Sequence, residues 1–407
     1  MILTALVLWY LKIFYRSPTA LFFIGIYFLM LVILALFSLL QFGTVFGAND
    51  ELKVAHKIFF YGIRGFDEYS ISGFVGNQGL FGWLAIAYKE VWSFFGVMNP
   101  YILKELAVVI HLSQLYFIYT IPATKKIKSY LYIFLVINPA LVYYSFAGIR
   151  DVLIITATNL VVIYVMYGRR ALPALLFSSI VAMSRIVNGI PLLVLSLAYV
   201  KNIFMRRVVI FIMLLSPFIA FFFLDDLVDF HRIILSQIEI FRGFQSSDGF
   251  LNTIRHSSTL FDDLLFLLSP LFIPFPESKL LTHSFAESID GLYIVSSSLD
   301  WINARVFKVI GWIMLHSVLW SSILCFFFKE CRQSITKKHM IVISILWISA
   351  CTISWFDSND ARFIGFISAL CIVFFDLLSN KKIFNQFVLS LIFGLSFLSV
   401  VYLIYNL

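Results

Sequence analysis

Leu21–Leu40 reads LFFIGIYFLMLVILALFSLL, twenty residues without a single charge. A helix of that length covers about 30 Å, the thickness of the hydrocarbon core of a bilayer. Apolar runs of the same kind recur as far as Tyr405, each bounded by charges or by a chain end. The 407 residues are 61% hydrophobic and 13% charged, with a mean hydropathy of +0.96. This composition predicts an all-α polytopic membrane protein, a single membrane domain over 1–407.

Working outward from the first run, spans are expected at about 19–43, 103–121, 129–146, 152–167, 208–224, 306–328, 339–356, 363–379 and 384–405. The stretch 171–200 is too long for one span and too short for two. It reads as a hairpin of two short helices with Arg185, Asn188 and Gly189 at its tip. Non-helical backbone is tolerated there only if it is buried in protein or lines a wet cavity. The total is about 11 spans, within a range of 9–13. Two long loops, about 44–101 and 225–304, separate them. The first carries an amphipathic stretch, Leu80–Val97, with Lys89-Glu90 on its polar side, which reads as a helix lying on the membrane surface. The second carries an apolar patch, Leu264–Phe275, which is either re-entrant or superficial.

Charge sorts the loops into two classes. Lys125-Lys126-Lys128, Arg169-Arg170, Lys201 with Arg206-Arg207, Lys329 to Lys338, and Lys381-Lys382 fall on one side, with Glu330 and Asp376 as the acids there. By the positive-inside rule that side is cytoplasmic, so the amino terminus is expected inside and the carboxyl terminus outside. The same bias accounts for most of the net charge of +8, which makes nucleic acid an unsuitable partner. Met1–Tyr15 has no small-residue cleavage site and reads as an interfacial helix. The four cysteines, Cys325, Cys331, Cys351 and Cys371, lie in late spans or on the basic side. That placement predicts neither a disulfide framework nor a zinc site.

The chemistry is expected on the outer, acid-rich side. Asp50 lies just past the first span, placed to deprotonate a hydroxyl or to hold a divalent ion, or equally to cap a helix over 52–60. Arg150-Asp151 occupies a tight turn between two spans, where a guanidinium fork suits phosphate and an acid suits a helix start. Arg185 is an ionisable group inside an apolar stretch, which marks either function or a structural pair with a neighbouring carboxylate. Asp357-x-x-Asp360-x-Arg362 fills a short late loop. In the second long loop His231-Arg232, Arg242 and Arg255-His256 bring histidine and arginine together. There His231 is a candidate base and the arginines are candidate anion ligands, against the alternative of a solvated amphipathic helix.

Several features then line up in order: an acid after span 1, a surface helix in the first loop, Asn138-Pro139 followed by Tyr143-Tyr144, the Arg150-Asp151 turn, and Asp357-x-x-Asp360-x-Arg362. This order resembles bacterial glycosyltransferases of the C-type membrane fold (GT-C) that use polyprenyl-phosphate-linked sugars. In size and composition the chain is most similar to the O-antigen polymerase (Wzy) group, and Arg232 to Gly243 matches the R-x10-G pattern described for that group. The resemblance implies polymerisation of undecaprenyl-pyrophosphate-linked oligosaccharide units at the outer face of the bacterial inner membrane. The alternatives are a transferase moving one sugar from a polyprenyl monophosphate and a flippase of lipid-linked sugars. It also implies that Arg150, Asp151, Arg185, Arg232, Arg242, Arg255 and Arg362 bind pyrophosphate or glycan, with Asp50 and His231 catalytic. A divalent metal is optional on this reading, and a flippase and a chain-length regulator are the expected partners.

Overall fold

A computed structural model describes residues 18–42, 45, 79–96, 99, 101–147, 150–168, 171–200, 271, 286–289, 292–295, 305–356 and 360–406. The helices are α1 (Pro18–Phe42), α2 (Gly79–Phe94), α3 (Ile102–Thr120), α4 (Lys125–Ile137), α5 (Pro139–Ala147), α6 (Arg150–Tyr167), α7 (Leu172–Ser184) and α8 (Ile186–Ala198). They continue with α9 (Arg305–Cys325), α10 (Lys329–Ser334), α11 (Lys337–Phe356), α12 (Asp360–Val373) and α13 (Lys381–Asn406). A small antiparallel hairpin, β1 (Ala286–Ile289) with β2 (Leu292–Val295), is the departure from an all-α chain among the described residues.

Three helical segments, Leu21–Leu40, Ile102–Thr120 and Arg150–Tyr167, are long and apolar enough to cross a membrane, and the bent pair α4–α5 would make a fourth. Eleven spans are not reached among the described residues. The helices α7 and α8 have 13 residues each, about 20 Å against a core of about 30 Å. The candidate span 208–224 lies outside the described residues. The exposed side chains are those a lipid-facing surface requires. They include Leu29, Val32 and Leu36 on α1, Leu172, Leu176 and Met183 on α7, and Leu389, Ile392 and Phe393 on α13.

At the centre stands α6, nearly every side chain of which is buried, packed on α3, α7 and α12. It runs parallel to α12: Gly365 lies against Ile155 and Thr158, Ser368 donates to Asn159 Oδ1 at 2.7 Å, and the Tyr167 hydroxyl donates to the Ile372 carbonyl at 2.9 Å.

The continuous span expected at 129–146 is instead two helices bent by 54° at Asn138-Pro139. Proline cannot donate to the preceding turn, and Asn138 supplies the substitute. Its Oδ1 accepts from the Ala140 and Leu141 amides at 3.0 and 3.3 Å, and its Nδ2 donates to the Gly311 carbonyl at 3.4 Å. A Cβ on Gly311 would collide with the Ala140 backbone, so α5 and α9 approach as closely as glycine permits.

The basic clusters that are described gather at one end of the bundle. Lys128 Nζ donates to the Tyr119 carbonyl at 2.6 Å and Lys338 Nζ to the Met166 carbonyl at 2.8 Å, satisfying the carboxyl ends of α3 and α6. Lys126 reaches the Ser379 carbonyl at 3.4 Å. His339 accepts the Thr336 N–H at Nδ1 (3.2 Å), which places its proton on Nε2, donated to both Asp376 oxygens at 2.9 and 3.0 Å. Just outside the apolar helices, Glu330 is held below the usual carboxylate range by its own backbone amide and by Gln386.

The expected hairpin at 171–200 is present. Arg185 closes α7 by donating its amide to the Val181 carbonyl at 2.7 Å and opens α8 by accepting from Asn188 and Gly189, each at 3.1 Å. Both the amide and the carbonyl of Arg185 are therefore satisfied at the break. Across it, a Cβ on Gly189 would overlap the Ala182 backbone. Gly189→Ala should lower the thermal unfolding midpoint in detergent, with an overpacking cost of about 1–3 kcal/mol. Gly25→Ala on α1, where nothing lies within 4 Å of the added carbon, should leave it unchanged or raise it. Equal midpoints for the two variants would refute the tight α7–α8 crossing.

Candidate functional site

The end of the bundle opposite the lysine clusters collects the charged residues that are out of place in an apolar interior. Arg150 and Asp151 begin α6, and Arg185 stands at the α7–α8 break. Arg185 Nη1 lies 3.9 Å from Asp151 Oδ1, with the two side chains 13% and 8% exposed. That separation is an ion pair but too long for a hydrogen bond. This is the pair with a neighbouring carboxylate that formed the structural alternative for Arg185.

Arg362 lies in the first turn of α12. Since Gly365 of the parallel α12 rests on Ile155 and Thr158, the Arg362 backbone is about one turn nearer the end, close to the level of Leu153. Four helices thus bring Arg150, Asp151, Arg185 and Arg362 to one end of the bundle.

Two lysines join them. The surface helix expected at 80–97 is α2, but its inward face runs Phe81, Ala85 and Lys89, each buried. Lys89 is therefore on the protein side, whereas Glu90, 4.0 Å away, is half exposed. The four-residue spacing explains the correction: residues i, i+4 and i+8 share a helix face, and Phe81 and Ala85 pack on Leu103, Ala107 and Val152. Next to this cluster Lys104 Nζ donates to the Phe146 carbonyl at 2.5 Å and sits 3.9 Å over the Phe146 ring. Burial pushes the nearby Tyr88 phenol up to about 12, with the Glu105 carboxylate adding to the effect. Lys89 and Lys104 were not among the expected site residues. The signal that would have found them is a lysine on the side of the bundle that the positive-inside rule leaves poor in lysine.

Asp50, His231, Arg232, Arg242 and Arg255 lie outside the described residues, as does the amphipathic segment expected at 52–60. In the second long loop, Leu271 is buried, and its carbonyl accepts from Trp320 Nε1 at 3.3 Å. The rest of the patch 264–275 lies outside the described residues. Among the described residues no three metal-ligating side chains come together.

No protein-family model, curated protein or solved structure matches the chain.

Removing one member of a buried ion pair leaves the other charge uncompensated, at about 3–5 kcal/mol. Asp151→Asn should therefore lower the unfolding midpoint more than the double substitution Asp151→Asn with Arg185→Gln. Losses that simply add in the double variant would show that the two side chains do not interact.

Proposed function

We propose that the chain is a membrane glycosyltransferase that polymerises oligosaccharide units linked to undecaprenyl pyrophosphate at the outer face of the bacterial inner membrane. On this reading the bundle has about eleven spans, with the 20 to 26 residues of α9, α11 and α13 among them. The lysine end is cytoplasmic, and the chain ends in the periplasm. The arginine end faces the lipid-linked substrate, in concert with a flippase and a chain-length regulator.

The observation that carries the reading is where the cations stand relative to the helix ends. At the lysine end, Lys128 and Lys338 reach the carboxyl-terminal carbonyls of α3 and α6, where a helix favours positive charge. At the other end Arg150, Arg305 and Arg362 occupy the first turns of α6, α9 and α12. A cation in that position is disfavoured by about 0.3–1 kcal/mol. Helix amino termini and guanidinium groups share one natural ligand, an oxyanion such as phosphate. Two linked phosphates in a lipid pyrophosphate suit a cluster spread over several helices. Arginine there would also stabilise the pyrophosphate as it leaves, while Asp50 or His231 takes the acceptor proton.

The break at Asn138-Pro139 supports a second reading, a flippase for lipid-linked sugars, because discontinuous helices deep in a bundle are a feature of carriers.

Arg150→Lys and Arg185→Lys should each shorten the glycan while the protein still inserts and accumulates, since a point charge does not replace a bidentate fork. Asp50→Asn should slow elongation by about 10²–10⁴-fold. Chain-length distributions on a gel decide the matter: full-length glycan in all three variants would reject a transferase site here. Orientation is tested separately by single cysteines at Lys126 and Glu90. An impermeant thiol reagent applied from the periplasm should label only the second.

A further inference from the structure

Beneath the Arg185–Asp151 pair, three polar side chains are buried where an apolar bundle offers them nothing. Tyr144 is 3% exposed, Trp312 1% and His316 6%. Trp312 and His316 stand one turn apart on α9 with their rings stacked, centroids 5.5 Å apart and planes 28° apart. The Tyr144 hydroxyl lies beside the Trp312 indole N–H and within electrostatic reach of Asp151. The contact of Gly311 with Ala140 draws α9 and α5 together just beside these residues.

Among the described residues, Tyr144 Oη, Trp312 Nε1 and both nitrogens of His316 have no hydrogen-bond partner. This is not the general condition of α9. Its Ser317, Ser321 and Ser322 hydroxyls donate to carbonyls one turn back at 2.6, 2.5 and 2.7 Å. The unmet groups are the long, planar ones, which cannot fold back on their own helix.

Their chemistry selects a ligand. The indole only donates, the phenol donates or accepts, and a neutral imidazole does one of each. None of the three carries a charge that would stabilise a buried ion. A partner that both donates and accepts without charge is a hydroxyl. Trp312 is seven residues into α9, about 10 Å along it, and Tyr144 is three residues from the end of α5, about 5 Å. The group they would hold thus sits just below the charged cluster.

We propose that Tyr144, Trp312 and His316 form a neutral subsite for the hydroxyls of a sugar carried on the same lipid whose phosphates the arginine cluster takes. This rests on the transferase reading and adds to it a reason for the protein to distinguish a glycan-bearing lipid from a bare one.

The test uses the full chain in lipid nanodiscs and two probes, undecaprenyl pyrophosphate and the same lipid carrying one N-acetylhexosamine. Wild type should bind the sugar-bearing lipid about tenfold more tightly, since each neutral hydrogen bond is worth roughly threefold to tenfold. In His316→Leu that preference should fall to near unity with affinity for the bare lipid unchanged. Tyr144→Phe and His316→Gln should give intermediate preferences, and Arg185→Lys should weaken both probes alike. His316→Leu should unfold at the same temperature as wild type or higher, because it removes a buried polar group. Were it not to fold, His316→Gln carries the comparison. A wild type without preference, or a preference that survives in the His316 and Tyr144 variants, overturns the subsite and leaves the phosphate site standing. If neither probe binds wild type, both the subsite and the transferase reading fall.

Discussion

A guanidinium inside an apolar bundle must find a carboxylate, and the pairing of Arg185 with Asp151 at 3.9 Å organises this end of the molecule. The Arg185 amide and carbonyl are satisfied by Val181, Asn188 and Gly189 at the α7–α8 break. Packing of α7 on α6 holds the turn beside the first turn of α6, and the Arg185 side chain adds an ionic contact there. Helix α6 in turn packs on α3, α7 and α12. Whatever moves Asp151 therefore moves the reference against which Arg150, Arg362 and Lys104 are placed. Isolated ion pairs on a protein surface contribute little, whereas a pair this buried is expensive to break. That asymmetry makes it a determinant of position.

The two ends of the bundle treat positive charge in opposite ways. At the lysine end the ammonium groups end on backbone carbonyls: Lys128 on Tyr119, Lys338 on Met166, Lys126 on Ser379. Lys126 also lies 5.2 Å from the Phe384 ring, and that ring is stacked on Tyr130. With the His339–Asp376 contact, these bonds join α3, α4, α6, α11 and the α12–α13 connection into one base. The opposite end carries the Arg185–Asp151 pair and the bond of Lys104 Nζ to the Phe146 carbonyl, beside the amino termini of α6 and α12.

Much of this was legible in the chain. Helical character, the gathering of the described basic clusters at one end, and the short hairpin at 171–200 with Arg185 at its tip all follow from run length and flanking charge. Those signals are local, and the membrane enforces them. The break at Asn138 was harder to read: Asn-Pro was visible, but the run 129–146 is apolar enough to pass as one helix, and only the docking of Gly311 against Ala140 reveals why it bends. Lys89 was misplaced for a related reason. Charge suggested the polar face, whereas the spacing from Phe81 and Ala85 put it on the packed one. Tyr144, Trp312 and His316 come from α5 and α9, more than 160 residues apart in sequence, and no periodicity links them.

The interior between the two ends bears on transfer against transport. Its buried polar groups are neutral: Asn159 with Ser368 at 2.7 Å, Tyr27 with Ser145 at 2.8 Å, and Gln114 beside His111 at 3.3 Å. The first two pairs join different helices, by hydrogen bonds of modest strength. A carrier of a lipid pyrophosphate must stabilise a dianion at every depth it crosses, at a desolvation cost that neutral hydroxyls and amides do not offset. Among the described residues, the buried charged side chains are Lys89 and Asp151, both near the arginine end. On the proposed transferase reading, the ionic groups would hold an anion at one level rather than along a path through the bundle. The break at Asn138 is then a means of seating α5 against α9.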